Sequence, residues 1–231
     1  MKVGITVPVL NNFKGAIEAL QSARSEHDLI IRIQDQWRDQ KPLARAWNAG
    51  SQWLFDQGCE YVAVINVDIM FAPQCIDNLV KEFERLLDDD VVLVSANNIL
   101  GQLDHAGAIL DYDQPYEPGS VADHPNYSLF MIRKDFFDRV GTFDENFTPA
   151  WFEDNDSHYR IKLLGLRAIC TTAASCIHIG GVSTAISGGS SGHSQNYYIK
   201  KWGSMRRHEG GEAFTTPYND PNLTPKDWIK Q

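Results

Sequence analysis

Short apolar runs alternate with amphipathic segments through the first half of the chain. The apolar runs predict strands at residues 3–9, 29–33, 61–65 and 91–95, because they are short and rich in β-branched residues. Between them, apolar residues recur every three or four positions and predict helices at residues 13–25, 43–57 and 73–87. This alternation predicts an α/β fold, in which a central, mostly parallel mixed sheet is flanked by helices.

The second half has a less regular pattern. Residues 97–127 contain many polar residues, Gly and Pro, and a loop of this length in a compact domain is usually functional or mobile. Further strands are predicted at residues 129–132, 167–171 and 175–179, and further helices at residues 134–140, 153–165 and 195–202. The segment 184–194 is rich in Gly and Ser, which is typical of either a lid over a substrate or a flexible connection.

The strand predicted at residues 61–65 is followed by Asn66-Val67-Asp68. Its continuous apolar run is typical of a strand that is covered on both faces. Open α/β sheets bind ligands at the carboxyl ends of such strands, and residues two apart on an extended chain point in the same direction. Asn66 and Asp68 are therefore candidates to hold Mg²⁺ or Mn²⁺ together with the phosphates of a substrate. The alternative is that they only cap the next turn.

An acidic cluster, Glu153-Asp154-Asn155-Asp156, lies at the start of a predicted helix and follows Trp151 and Phe152. Acidic residues are common in the first helical turn because they cap free N–H groups, and Asp156 is spaced for an ordinary ion pair with Arg160. The neighbouring Trp151 favours a second interpretation, in which the ring contacts a sugar and a carboxylate takes the proton of an attacking hydroxyl. Trp151 and Asp156 are thus the predicted contacts of an acceptor sugar.

Four further residues are candidates for binding a metal ion or a nucleotide. His178 ends a predicted strand, and imidazole is a suitable second ligand beside Asp68, particularly for Mn²⁺; the alternative is a structural histidine. Asp35 ends the second predicted strand, near the expected position of a base. On the next helix, Arg45 is a candidate for contact with a phosphate and Asn48 for contact with a base or ribose. The alternative is that both are ordinary polar residues of a helix.

Composition and charge narrow the class of protein. The chain has 231 residues and a formal net charge of −9, which disfavours nucleic acid as a non-specific partner but leaves room for one local basic pocket. Cys59, Cys75, Cys170 and Cys176 have no metal-binding spacing and predict reduced thiols in a cytoplasmic protein. A zinc site at Cys170, Cys176 and His178 would lack a fourth ligand. The sequence contains no predicted membrane segment, and its first apolar run is too short for a signal peptide.

In their order and spacing, these motifs resemble the inverting, metal-dependent glycosyltransferases of family 2, which have the Rossmann-like, nucleotide-sugar-binding fold called GT-A. The resemblance covers residues 2–203. The segments that carry it are Ile5–Val9, Ala44–Gly50, Asn66–Asp68, Gly141–Phe147, Trp151–Asp156 with Arg160, His178 with Gly180, Gly181, Ser183 and Thr184, and Lys201–Gly203. The segment Trp151–Asp156 also resembles the E-D motif of β-1,4-galactosyltransferases. Asn66 stands where the family has the first Asp of its D-x-D motif.

The resemblance implies a role for each candidate residue. Asp154 would be the general base, with Glu153 in a supporting role, and Asp68 with His178 would bind Mn²⁺ or Mg²⁺. Contacts with the donor nucleotide are implied for Pro8, Asp35, Arg45, Asn48, Asn66 and Asp68. The activity implied is transfer of a sugar from a nucleoside-diphosphate sugar, in the first place a UDP-sugar, to a hydroxyl of a glycan or another acceptor.

The implied domain organisation is a single GT-A domain over residues 1–203. Residues 1–96 would form its nucleotide-binding half and residues 97–203 its acceptor-binding and catalytic half, with residues 204–231 as a carboxy-terminal tail.

Three other functions compete with this one. A sugar nucleotidyltransferase would share the fold and the metal, but it would normally carry a glycine-rich, basic loop where this chain has Leu10-Asn11-Asn12. A non-catalytic glycan-binding module would have no use for a carboxylate base, a metal-binding Asp and a His together. Transfer of the sugar to a modified base in DNA is disfavoured by the net charge of −9.

Overall fold

The structure, a computed structural model, describes residues 1–36, 42–87, 90–103, 105–180, 191–205 and 216–229. Its strands are β1 (Lys2–Val9), β2 (Asp28–Asp35), β3 (Tyr61–Ile65), β4 (Ile69–Phe71), β5 (Val91–Asn98), β6 (Val121–Ala122), β7 (Leu129–Arg133) and β8 (Arg167–His178). Its α-helices are α1 (Phe13–Ser22), α2 (Leu43–Asp56), α3 (Cys75–Arg85), α4 (Phe136–Val140), α5 (Glu153–Leu163) and α6 (Gly192–Trp202). Short 3₁₀ helices lie at Ala106–Asp111, Pro217–Asn219 and Pro225–Asp227.

One mixed sheet, flanked by helices, organises the described chain. Its strand order is β2-β1-β3-β7-β5-β8-β4, with β6 paired to β8. The pairs β1–β2, β1–β3 and β5–β8 are parallel. Strand β7 is antiparallel to both of its neighbours, β3 and β5. The α/β class and the central mixed sheet are as predicted. Because β7 runs antiparallel to β3, the residues that precede β7 lie at the carboxyl end of β3.

Strand β3 is buried on both faces because its side chains alternate between two hydrophobic cores. Tyr61, Ala63 and Ile65 belong to the core that contains residues of α1 and α3. Val62 and Val64 belong to the core that contains residues of α2, α4 and α5. A strand in this position needs apolar residues at every place along its length, as the sequence pattern predicted.

Helix α2 lies very close to the sheet at Gly50. A Cβ atom at this position would lie only 2.0 Å from the Oγ1 atom of Thr6 on β1. Glycine therefore permits the close approach of α2 to β1.

Several elements differ from the sequence-based expectation. Residues 167–171 and 175–179 form one strand, β8, rather than two, and strands β4 and β6 were not predicted. Helix α6 begins at Gly192, so part of the expected loop 184–194 is helical, while residues 184–190 lie outside the described residues. In the expected tail, Trp228 is buried and packs edge-on against Trp202, with ring centroids 6.4 Å apart.

The described helices are all too short or too polar to cross a bilayer.

Candidate active site

Asp68 and His178 meet at the end of the sheet that carries β4. The antiparallel pairing of β4 with β8 places Ile69 opposite His178, and the Nε2 atom of His178 lies 3.2 Å from the Oδ1 atom of Asp68. The Nδ1 atom of His178 lies 2.9 Å from the Oγ atom of Ser128. The backbone N–H of His178 donates to Oδ1 of Asn98 over 3.1 Å. The imidazole is therefore held from both sides, with Nε2 directed at the carboxylate.

The 3.2 Å between Nε2 of His178 and Oδ1 of Asp68 is that of a hydrogen-bonded ion pair, and it is also compatible with two ligands of one divalent ion. Two ligands bound at right angles, each about 2.1 Å from an ion, lie about 3.0 Å apart, close to the 3.2 Å between Nε2 of His178 and Oδ1 of Asp68. The contact with Ser128 is the kind of second hydrogen bond that fixes a metal-binding imidazole. No group of three or more His, Cys, Asp or Glu side chains is placed to hold a metal within the described chain. Phosphate oxygens would complete the coordination.

The carboxyl of Asp68 is ionised more readily than usual. Burial by itself would raise its pKa, but the hydrogen bond and the charge of His178, together with the backbone N–H of Gly180, lower the pKa below its ordinary value. This shift describes the ion pair without a metal, because an imidazole binds a metal ion only in its neutral form.

A cavity of about 340 Å³ is lined by Ser128, the residue that contacts the imidazole of His178. Asn66 lines it as well, and the backbone N–H of Asn66 donates to the carbonyl of Ser128 over 2.9 Å. The residues that line the cavity are Leu43, Trp47, Asn66, Pro125, Asn126, Tyr127, Ser128, Glu153, Asp154, Asn155 and His158. Asp154 thus lines the cavity, whereas Asp68 and His178 are not among the described residues that line it. Ser128, which does line it, connects the cavity to His178 through the contact between its Oγ atom and Nδ1 of the imidazole.

Glu153 and Asp154 begin α5 and bring two carboxyl groups to the cavity. Glu153 is buried; its burial, followed by the charge of Asp154, raises the pKa of this carboxyl well above its usual value. Burial also raises the pKa of Asp154, although the backbone N–H of Asn155 donates to its Oδ1 over 2.8 Å and partly opposes this shift. Two carboxyl groups with raised pKa values in a cavity are typical of a site for proton transfer.

The chain before α5 is held in an unusual conformation. Trp151 and Phe152 have φ angles of 72° and 68°, in the left-handed region that non-glycine residues seldom adopt. The hydroxyl of Ser194 donates to the carbonyl of Ala150 over 2.8 Å, and the backbone N–H of Leu43 donates to the carbonyl of Pro149 over 2.9 Å. Helices α6 and α2 therefore hold this strained segment, as is common near functional sites.

A buried ion network lies on the other side of α5. Lys201 is fully buried, and its Nζ atom lies 2.7 Å from both Asp144 and Asp156. Asp156 also accepts hydrogen bonds from Arg160 and from the indole N–H of Trp202, each over 2.9 Å. Burial would raise the pKa of Asp144, but Lys201 lowers it below the usual value. The network fastens α5 to α6.

The network corrects the expectation for Asp156. Its side chain is fully buried and is surrounded by Arg160, Lys201 and Trp202, so it has no surface with which to contact an acceptor sugar. The ordinary ion pair with Arg160 is the interpretation that the structure supports. Trp151 is half-buried and does not line the cavity.

The expected nucleotide contacts of α2 are also engaged within the protein. The amide of Asn48 donates to the carbonyl of Phe143 over 2.8 Å and to Glu145 over 3.1 Å, and it accepts from the N–H of Phe143 over 2.9 Å. Both of its N–H groups are thus used to fix the turn that follows α4, and none is left for a base or ribose. Arg45 is exposed and lies 3.7 Å from Glu145.

The remaining residues that are expected to contact the donor, Pro8, Asp35 and Asn66, lie at the carboxyl ends of β1, β2 and β3. Val9 pairs with Asp35, and Thr6 pairs with Val64, so Pro8 is level with Asn66. Gly181, Ser183 and Thr184 lie outside the described residues.

Most of the cavity wall was not predicted from the sequence. Asn126, Tyr127, Ser128 and His158 carry no recognisable motif, and Trp47 lies in a segment that resembles the family but was given no role of its own. Asn126 and Ser128 directly precede β7, so a correct prediction that β7 runs antiparallel to β3 would have placed them at the carboxyl end of β3.

No family model matches the sequence, and the search of curated proteins finds no match. The fold is nevertheless similar to that of solved glycosyltransferases. GalNAc-T7 with UDP, GalNAc and Mn²⁺ superimposes with a TM-score of 0.59 at 12% identity, over 87% of this chain and 48% of that one. The catalytic domain of Drosophila β1,4-galactosyltransferase 7 with xylobiose gives a TM-score of 0.54 at 18% identity, over 79% and 72%. A variant of that enzyme with manganese, UDP-Gal and xylobiose gives 0.52 at 18% identity, over 80% and 73%.

The chain has the GT-A fold. In the described part of this GT-A chain, Asp154 lines the cavity and Ser128 connects that cavity to the Asp68–His178 pair, whereas Asp156 and Asn48 stabilise the scaffold around it.

Proposed function

We propose that the protein is a metal-dependent glycosyltransferase that moves a sugar from a nucleoside-diphosphate sugar to a hydroxyl of a glycan or another acceptor. The observation that carries this proposal is that Asn66 and Ser128 connect the Asp68–His178 pair to the cavity that Asp154 lines. The manganese and UDP-Gal of one similar structure, and the UDP and Mn²⁺ of another, support a UDP-sugar as the donor.

The donor would lie across the carboxyl ends of β1, β2 and β3. Pro8, Asp35 and Asn66 lie at those ends and would contact its nucleotide. Asp68 and His178 would hold Mn²⁺ or Mg²⁺, which neutralises the negative charge of a departing diphosphate. Ser128 keeps the imidazole of His178 directed at Asp68 and so maintains the two ligands in place.

Asp154 would act as the general base on the acceptor. Its carboxylate takes the proton of the acceptor hydroxyl, and that oxygen forms a bond to the anomeric carbon of the sugar. The bond from the anomeric carbon to the phosphate oxygen breaks, and its electron pair leaves with the nucleoside diphosphate. A single displacement of this kind inverts the configuration at the anomeric carbon.

The electrostatics of the site suit this base. Because burial raises the pKa of Asp154, its carboxylate binds a proton more tightly than an exposed aspartate does. A base with a raised pKa is more effective, provided that it is still ionised at the working pH.

The test is a screen of nucleotide sugars for release of nucleoside diphosphate, with and without Mn²⁺. We expect release from at least one donor, and we expect it to require the ion. Asp154→Asn should lower kcat by about 10²–10⁴-fold with little change in the KM of the donor. Asp138→Asn, which changes an exposed carboxylate on α4, is the matched control.

Two results would contradict the proposal. One is the absence of nucleoside diphosphate release from every donor. The other is an Asp154→Asn variant that is as active as Asp138→Asn. The stereochemical part has its own readout, because proton NMR of the first product formed would reveal retention instead of inversion.

A further inference from the structure

Besides the hydroxyl of Tyr127, three further buried polar atoms of residues that line the cavity have no hydrogen-bond partner among the described residues. They are Nε1 of Trp47, Nδ2 of Asn126 and Oε2 of Glu153, and all three residues line the cavity. Trp47 is 2% exposed and Glu153 is 4% exposed. Buried polar groups are nearly always hydrogen-bonded, and an unsatisfied one is costly. Three such atoms around one cavity point to a ligand that supplies their partners.

Two of these atoms are held in place by the surrounding protein. The ring of Trp47 packs edge-on against Phe130 and Phe143, with centroids 5.3 and 5.1 Å away, so its N–H cannot turn freely. Oδ1 of Asn126 accepts the backbone N–H of Ser128 over 3.1 Å, which fixes the amide and leaves its NH₂ group for another partner. The donors are thus preorganised, which lowers the cost of binding a ligand.

The charge of the cavity restricts what that ligand can be. Glu153 and Asp154 bring two carboxyl groups, and none of the described lining residues is Lys or Arg. A uronate or phosphorylated sugar would need a cationic partner here and would meet carboxyl groups instead. Leu43, Pro125 and the ring of Tyr127 provide apolar wall, which suits the C–H groups of a sugar ring.

The position of the cavity indicates that the transferred sugar of the donor, and not the acceptor, would occupy it. Asn66 and Ser128, beside the Asp68–His178 pair, line one side, and Asp154 lines it as well. A ring in this space would lie between the leaving diphosphate and the base. The volume of about 340 Å³ lies in the range of small-ligand sites.

We propose that Trp47, Asn126 and Glu153 form the subsite that selects a neutral, unphosphorylated sugar ring as the transferred group. The N–H groups of Trp47 and Asn126 donate to hydroxyl oxygens of that ring, and the carboxyl of Glu153 pairs with a further hydroxyl. This inference rests on the proposed function and adds the chemical class of the sugar and the residues that recognise it.

The variants Asn126→Asp and Trp47→Phe test the two donors separately. The first retains the oxygen that accepts from Ser128 and removes the NH₂ group, and the second retains an aromatic ring and removes the N–H. The probes are UDP-glucose and UDP-galactose, their monodeoxy analogues, and UDP-glucuronate as the anionic comparison. Trp53→Phe on α2, outside the cavity, and Asn222→Asp on the surface are the matched controls.

We expect the wild-type protein to prefer neutral donors to UDP-glucuronate, and to lose about tenfold in kcat/KM when the deoxy analogue lacks the recognised hydroxyl. Each variant should show a similar loss with the intact donor and little additional loss with that analogue, because the two changes remove the same contact. The control variants should lose as much with the analogue as the wild type does. A general loss of stability would lower kcat/KM for all donors alike and would not produce this non-additivity.

Several outcomes would overturn the inference. If nucleotide sugars are turned over but the losses from variant and analogue are additive for every hydroxyl, the subsite is wrong and the proposed function stands. A preference for UDP-glucuronate over the neutral donors would also show that the subsite is wrong and would leave the proposed function standing. Non-additivity with deoxy acceptors instead of deoxy donors would assign the subsite to the acceptor and remove the transferred ring from it. If no nucleotide sugar is turned over, the proposed function and this inference fail together.

Discussion

Glu153 carries a buried carboxyl group whose ionisation costs the protein stability. Its side chain is buried, and its Oε2 atom has no partner among the described residues. Burial and the nearby charge of Asp154 raise its pKa well above the usual value. The native state therefore binds this proton more tightly than the unfolded chain does, so the stability it provides is complete below the ordinary pKa of 4.5 and is lost as the pH rises.

The variant Glu153→Gln should accordingly be more stable than the wild type at pH 8 and similar to it at pH 4. The neutral amide escapes the cost of ionising a buried carboxyl. A gain of 1 kcal/mol would raise Tm by about 2–4 °C in a chain of this size, and thermal unfolding at several pH values measures it. Glu117→Gln, at an exposed position, should show no such trend. A gain that is equal at all pH values would contradict the explanation.

Single residues also show where a sequence pattern stops being informative. Asp154 and Asp156 lie two residues apart on α5, which turns their side chains about 200° apart around the helix axis. One reaches the cavity and the other the ion network, yet both belong to the same acidic run. The sequence indicated that carboxylates cluster at this helix start. Which of them faces the cavity depends on the rotation of α5, and this is set by Lys201 and Trp202, far along the chain.

Among the elements, α6 acts as the support of α5. Lys201 on α6 lies between two buried carboxylates, Asp144 and Asp156, and no part of its side chain is exposed. A buried charge is tolerable only when it is paired. Because the lysine pairs with both carboxylates at once, its removal would leave an excess of buried negative charge beside α5.

Lys201→Met should therefore lower the free energy of unfolding by about 3–5 kcal/mol, the usual cost of breaking a buried ion pair on one side. Urea unfolding measures the change. Lys200→Met, at the exposed neighbouring position, should change it by less than about 0.5 kcal/mol. Equal effects of the two substitutions would show that the buried network contributes little.

The elements were predicted better than their directions. Seven apolar runs identified the strands β1, β2, β3, β5, β7 and β8, because a buried strand needs continuous apolar residues wherever it lies. The same runs contain no information on whether β7 runs parallel or antiparallel. A parallel β7 would place Ser128 at the opposite edge of the sheet from Asp68, whereas the antiparallel pairing with β3 brings it to His178. Strand β4 has only three residues, too few for a periodic pattern.

At the scale of the molecule, the two expected halves are interleaved. Strand β7, from the second half, lies between β3 and β5 of the first, and β8 pairs with both β4 and β5. The site draws on both halves as well, with Asp68 in one and Asp154 and His178 in the other. The halves thus describe the order of the sequence and do not form separable units of the fold.

The described part of the carboxy-terminal segment also belongs to the folded unit. Trp228 is 5% exposed and contacts Trp202, and the hydroxyl of Tyr218 lies 2.9 Å from that of Tyr197 on α6. Trp228→Ala should lower the free energy of unfolding by about 3–5 kcal/mol, since it removes a large buried side chain. Lys226→Ala, at an exposed position, is the control in the same urea titration. A loss for Trp228→Ala no larger than that of the control would mean that the segment is dispensable.

The pairing of β4 with β8 determines when, during synthesis of the chain, Asp68 and His178 can first come together. A ribosome releases Asp68 more than a hundred residues before His178, and the two side chains cannot meet before β8 has paired with β4. A nascent or prematurely terminated polypeptide that stops short of β8 would consequently lack the Asp68–His178 pair, however well its first strands and helices had formed.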